Sequence, residues 1–300
     1  MVTSILIRVV RIHFLRVYLA RPETIFSTRN TPNMVFTTVL QKLRSAFTGK
    51  PLAAHCNVCD QPVQAFSSLP EFFLTHLREA GWPYPFEQSE TCNVDAYLCP
   101  HCDASDRDRL YALYLQDYVL HRGPEPLRLL DFAPSLPLKK WLTTYATRTG
   151  LDLVYRSADL FAEEVDDTVD LMDMHAYREG QFEVFLCSHV LEHVVDDRKA
   201  LREIFRVLKP GGVAVLLVPI VLGLKAIDED PTVTDPSERW RRFGQDDHVR
   251  LYSKAGFMER VREAGFQLSN LGVKHFGRKA FLRHGITTQS VLYVAVKPKR

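Results

Sequence analysis

Phe182-Glu183-Val184-Phe185-Leu186-Cys187-Ser188-His189-Val190-Leu191-Glu192-His193-Val194, then Ala200-Leu201-Arg202-Glu203-Ile204-Phe205-Arg206-Val207-Leu208-Lys209-Pro210-Gly211-Gly212, is the stretch that decides the fold. Phe182 to Cys187 is a short apolar run that reads as a strand, and Asp196 to Leu208 has helical spacing. Pro210 and the two glycines cannot prolong a helix, so the chain must turn there and enter Val213 to Val218, a buried strand of almost pure Val and Leu. Working outward, Leu127 to Phe132 reads as a first strand, Leu136 to Thr147 as a helix, Leu153 to Tyr155 as a second strand and Thr168 to Met172 as a short third. Short apolar runs alternating with helical stretches predict stacked βα units and a largely parallel sheet, an α/β fold. Lys254 to Glu263 reads as a later helix.

The 300 residues are 46% hydrophobic and 25% charged, ordinary values for globular protein. The net charge of +2 conceals an uneven distribution: residues 1–50 hold eight Lys or Arg against the single acid Glu23, leaving 30 basic and 35 acidic residues beyond. Binding nucleic acid through its phosphates favours a basic excess, so the mildly acidic body predicts no nucleic-acid partner. Arg8, Arg11, His13 and Arg16 interrupt the apolar stretch Ser4 to Ala20, so it lacks the run of ~20 apolar residues of a membrane span and the apolar region of a secretory signal. A cytoplasmic location follows as an expectation. The basic segment 1–50 reads as an extension, with Met34 as the natural start.

Five of the six cysteines lie between residues 56 and 102. Cys56-Asn57-Val58-Cys59 and Cys99-Pro100-His101-Cys102 each have the spacing that turns two thiolates onto one metal, and together they complete a four-thiolate zinc site. Disulfides are the alternative, uncommon where no export signal is present. Cys92 is read as a bystander, and His55 and His101 as neighbours of the site. The intervening segment, with Phe72, Phe73, Trp82, Tyr84 and Phe86, is expected to form a small core over the metal. Ser105 or Asp106 can cap the helix that follows. Arg107 and Arg109 read first as a solvated turn and, alternatively, as a holder of an anionic substrate group. Residues 51–123 are thus a zinc module with a linking helix, and 124–300 a second domain.

The run from Cys187 to Gly212 resembles the central segment of class I S-adenosylmethionine-dependent methyltransferases, and the resemblance extends over about residues 124–300. It implies a Rossmann-like, seven-stranded methyltransferase sheet whose last strand, Val291 to Val296, is inserted antiparallel, behind an N-terminal zinc-ribbon-like module. Phe243-Gly244-Gln245-Asp246-Asp247-His248-Val249-Arg250-Leu251-Tyr252 is similar to a subgroup that also bears N-terminal cysteine pairs. The resemblance implies that the loop after Asp131 lies against the methionine part of the cofactor. The family's glycines are missing there, where Asp131-Phe132-Ala133-Pro134-Ser135 offers only the small Ala133 and Ser135. It further implies that Asp159 accepts the ribose hydroxyls, a task that suits two acceptor oxygens. Asp173 and Met174 fall where the family recognises adenine, and His189 lies beside the cofactor. Asp131, Asp159 and Asp173 each fall at or just beyond a strand's carboxyl end, where open α/β sheets bind ligands.

His189-Val190-Leu191-Glu192-His193 also satisfies the H-x-x-E-H pattern of inverted zinc peptidases, in which two histidines on one helical face bind zinc with Glu192 as base. Its place after a buried strand and before the Lys-Pro-Gly-Gly turn argues against that reading. A non-catalytic zinc-binding interaction protein on a decayed methyltransferase fold is a further alternative. For an enzyme, the segment 221–250 is too long for an ordinary connection and reads as a lid. His248, oriented by Asp247, is then the expected general base, with His193 next and His189 and His193 otherwise packing a helix start. The expected acceptor is a small molecule or a sugar-containing intermediate.

Overall fold

The computed structural model describes residues 53–299; the basic extension and the expected start at Met34 lie outside the described residues. The elements that position the site are α1 (Glu71–Glu79), α2 (Asp106–Leu120), β1 (Leu127–Phe132), α3 (Leu136–Thr149), β2 (Leu153–Asp159), β3 (Asp167–Thr168), β4 (Phe182–Ser188), α4 (Asp197–Val207), β5 (Leu208–Leu217), α5 (Pro236–Phe243), α6 (Lys254–Glu263), β6 (Gln267–Leu271) and β7 (Leu292–Val296). The seven strands form one sheet in the order β6-β7-β5-β4-β1-β2-β3. β7 runs antiparallel to both its neighbours, and the pairs from β5 to β3 are parallel. The α/β sheet is as the sequence predicts, and its antiparallel last strand is as the family resemblance implies.

Parallel strands covered on both faces must be apolar throughout, and Val184, Phe185, Ala214, Val215 and Leu216 are wholly buried. Each large side chain so buried contributes roughly 1.5–3 kcal/mol. The entry to β5 differs from expectation. Phe182 pairs with Leu208, and Val184 already pairs with Val213, so Lys209 to Gly212 form a bulge within the strand rather than a turn before it. Gly212 is required there, since a Cβ would meet Lys209 O at 2.9 Å and Glu183 O at 3.0 Å. The third strand is also shorter than expected, Asp167–Thr168, and 169–172 leave the sheet.

One buried core runs from Cys56, Val58 and Phe66 through α2 into the sheet. Ser105 caps α2 in a reciprocal capping box with Asp108. Arg109 overturns the solvated-turn reading, because it is fully buried. It donates to the carbonyls of Ala104 (2.7 Å), Ala96 (2.5 Å) and His284 (2.6 Å), joining the cysteine segment to the C-terminal part of the chain. The aromatic segment also departs from expectation. Trp82 and Tyr84 pack with Val221, Phe243 and Leu251, and Phe73 meets Trp240 of α5 at 5.6 Å, so these rings cover the 221–250 segment rather than the cysteines. That segment is folded: Asp228–Glu229 pairs antiparallel with Arg250–Leu251, and Asp235 caps α5. Among the described residues, no helix is long and apolar enough to cross a membrane.

Candidate active site and cysteine centre

At the carboxyl ends of β1 and β2 the sheet presents two acids and a tight turn. Asp131 is buried and accepts a hydrogen bond from Tyr155 Oη at 2.8 Å; burial pushes its carboxyl up to about 7, although the tyrosine opposes this. Two residues on, Ala133 takes the left-handed conformation (φ +56°), which an alanine adopts at a cost of roughly 1–2 kcal/mol. The turn that glycine would ordinarily supply is therefore made without glycine. Ser135 flanks α3 but its side chain makes no cap to the helix. Asp159 is buried at the end of β2, and its Oδ1 accepts from Phe161 N (2.7 Å) and Ala162 N (3.0 Å). Leu136, Leu160 and Phe161 nevertheless remain exposed beside these acids.

The other two expected contacts separate. Asp173 is exposed, with His175 Nδ1 3.4 Å from its Oδ1. Met174 is fully buried, and its amide donates to Glu203 at 2.8 Å, so its side chain serves the core.

A second group gathers where the chain leaves β4. His189 also has a positive φ (+55°), its amide donates to Leu217 O at 2.9 Å, and residues 189–195 form a turn instead of a helix. The helical face required by the peptidase reading is thus absent, and α4 is capped by Asp196, not by either histidine. Glu192 is wholly buried and neither of its carboxylate oxygens has a hydrogen-bond partner. Burial alone would raise its pKa, but the imidazoles of His189, His193 and His248 hold it down at about 2. His193 and His248 meet edge to face, 4.6 Å between ring centres. Arg250, itself buried, donates to the carbonyls of Leu191 (2.6 Å), Val194 and Val195 (2.8 Å), and Val249 N donates to Glu192 O at 3.0 Å. The segment after β4 and the segment before α6 are thereby tied together.

The expected pairing of His248 with Asp247 is corrected here. Asp247 Oδ2 lies 3.1 Å from His193 Nδ1, while His248 Nδ1 lies 2.9 Å from Phe243 O. His248 is buried, and burial with the neighbouring His193 lowers its pKa to about 4. A histidine so placed is a poor general base near neutrality. His193 is the member of the pair that reaches solvent.

The four cysteines Cys56, Cys59, Cys99 and Cys102 converge, with ligand atoms within 4.8 Å of one another. Cys56 Sγ to Cys102 Sγ and Cys59 Sγ to Cys99 Sγ are each 3.8 Å. Four thiolates around zinc at ~2.3 Å stand about 3.8 Å apart in a tetrahedron, whereas a disulfide needs ~2.0 Å. All are free thiols, so the disulfide alternative is not realised. Asp60 and Asp103, each following the second cysteine of a pair, have φ +57° and +58°, so the two knuckles share one turn. Cys92 is not in this group.

The profile of the family described as "Methyltransferase domain" matches residues 133–216, the span from the Ala133 turn to the end of β5. Residues 133–216 carry a methyltransferase domain. No curated protein matches the chain significantly. Among solved structures, the carbon methyltransferase domain of the citrinin polyketide synthase is 15% identical with TM-score 0.44, covering 66% of this chain and 54% of its own. The carbon methyltransferase of CurJ is 14% identical, TM-score 0.43, with 64% and 54% covered. Phosphoethanolamine N-methyltransferase 2 of Haemonchus contortus, solved with S-adenosyl-L-methionine, is 12% identical, TM-score 0.38, with 63% and 53% covered. The chain spans about half the length of each of these three.

Within the methyltransferase domain, sequence reasoning missed Tyr155, whose hydroxyl faces Asp131 across parallel strands. It also missed Arg250 as the clamp of the Glu192 turn. Period-two patterning signals neither, since the first depends on strand register and the second on the packing of a turn against a distant segment.

Proposed function

We propose that the protein transfers a methyl group from S-adenosylmethionine to a small-molecule or sugar-containing acceptor. The left-handed turn at Ala133, between a strand ending in Asp131 and the uncapped start of α3, carries this reading. The residues present fit the cofactor. Asp131, Ala133 and Ser135 would face its methionine part, Asp159 its ribose, and Asp173 with the turn around Met174 its adenine, with His189 alongside. The exposed Leu136, Leu160 and Phe161 offer an apolar surface for the adenosyl group to cover. Bound there, the cofactor supplies a methyl group already activated on sulfonium sulfur, so the protein's part is to align the acceptor and dispose of its proton. That part falls to His193, which reaches solvent and is oriented by Asp247, with His248 and Glu192 packed behind it beyond β4.

The donor set and spacing of Cys56, Cys59, Cys99 and Cys102 support a structural zinc, since all four positions are filled by protein. Free thiols at this spacing also favour a reducing, cytoplasmic setting. The test is calorimetric titration with S-adenosylhomocysteine. Asp159→Ala, shown folded by circular dichroism, should weaken binding by roughly 100-fold or more as a desolvated hydroxyl pair loses its acceptor. Wild-type affinity in that variant would remove Asp159 from the site.

A further inference from the structure

We propose that Glu192, His193 and His248 form a second metal site, separate from the four cysteines, that takes a borderline divalent transition-metal ion. One ligand atom from each residue lies within 4.8 Å of the others. His193 Nε2 and His248 Nε2 stand 3.9 and 4.0 Å from Glu192 Oε1, too far to hydrogen-bond it. Two ligands of one ion at ~2.0–2.2 Å can be no more than about 4.4 Å apart, so the spacing is that of atoms sharing a centre.

Orientation strengthens the case. Phe243 O can only accept, so His248 Nδ1, 2.9 Å away, carries a proton and leaves Nε2 as the nitrogen open to a metal. The Asp247 carboxylate does the same for His193 through Nδ1 at 3.1 Å. Both imidazoles thus turn Nε2 toward Glu192, each fixed from behind by a carbonyl or carboxylate, as metal-bound histidines are; metal binding displaces any proton that Nε2 carries. Glu192 is 0% exposed and neither oxygen accepts a hydrogen bond; His189 Nδ1 stands 3.3 Å from Oε1, and a carboxylate so buried is costly unless a cation relieves it. The frame is rigid, because Arg250 and the Val249–Glu192 hydrogen bond hold the two contributing segments. Two imidazoles and one carboxylate suit zinc, iron(II), manganese or cobalt over magnesium, whose shell is oxygen.

Three protein ligands leave coordination positions open, and the cluster reaches solvent on the His193 side, where the side chain is 20% exposed. An acceptor with an oxygen donor would occupy them; this clause rests on the methyl-transfer reading, whereas the metal site does not.

The test is loading of the purified full chain with cobalt(II), read by metal analysis and absorption. Two ions per chain are expected, one with intense thiolate charge transfer and one with only weak d–d bands. Glu192→Gln and His248→Ala should each weaken the second ion by ~100-fold or more. Asp247→Asn should weaken it by ~10-fold to 100-fold through loss of the orienting contact. The thiolate band, unchanged in all three, reports that the fold survives; a variant that loses it is replaced by the others. One ion per chain in the wild type, or a second ion unaffected by both Glu192→Gln and His248→Ala, overturns the proposal. Two ions without S-adenosylhomocysteine binding would instead sink methyl transfer and leave the metal site standing.

Discussion

Asp131 offers a quantitative handle, because its burial has a calculable consequence for stability. Its pKa rises from an ordinary 3.8 to about 7 in the folded protein, chiefly through desolvation, with Tyr155 opposing. A carboxyl with a raised folded pKa favours the native state fully only below its unfolded pKa, and that stability is lost as pH rises through the folded value. Three units at 1.36 kcal/mol each set the loss at about 4 kcal/mol, spread between pH ~4 and ~7 and complete above it. Asp131→Asn removes the titration and keeps an acceptor for Tyr155. Its stability relative to wild type should therefore climb by up to about 4 kcal/mol across that window and then level off. Urea denaturation at half-unit steps from pH 4.5 to 8.5, at one temperature and salt concentration, reads the difference directly. A wild-type-minus-variant difference that is flat with pH, or that slopes the other way, would refute the burial argument.

Metal analysis should find about one thiolate-held zinc per chain, and Cys56→Ser with Cys99→Ser should release it and lower the melting temperature. Arg109→Met leaves several buried carbonyls without their donor and should destabilise the fold by roughly 3–5 kcal/mol in denaturant titrations. A loss under 1 kcal/mol would show that its hydrogen bonds to Ala96, Ala104 and His284 are replaced by water.

The parallel core was legible because strands buried on both faces leave an unmistakable record. Leu127–Phe132 has the bounds its apolar run predicts, and Phe182–Ser188 differs by one residue. β6 was not legible: Gln267, Ser269 and Asn270 belong to an edge strand with exposed side chains, so no apolar face writes itself into the sequence. Lys209-Pro210-Gly211-Gly212 correctly signalled an interruption, but a bulge and a turn use the same residues, and only the register with β4 separates them. The convergence of the four cysteines was readable from spacing alone, since each knuckle is local. The cluster beyond β4 was only half readable. Asp247 and His248 are neighbours in the chain, yet one turns to His193 and the other to a backbone carbonyl, a choice made by tertiary packing. Arg109 was misread for the same reason, because its acceptors include His284, distant in sequence.

The central claim is that the turn at Ala133 and the acids of β1 and β2 hold S-adenosylmethionine. Calorimetric titration of the folded, zinc-loaded full chain with that cofactor tests it without knowledge of the acceptor. Binding at one site per chain with micromolar affinity, about −8 kcal/mol, is the expected result. No heat and no thermal stabilisation with millimolar cofactor, in protein whose thiolate metal is in place, would contradict it.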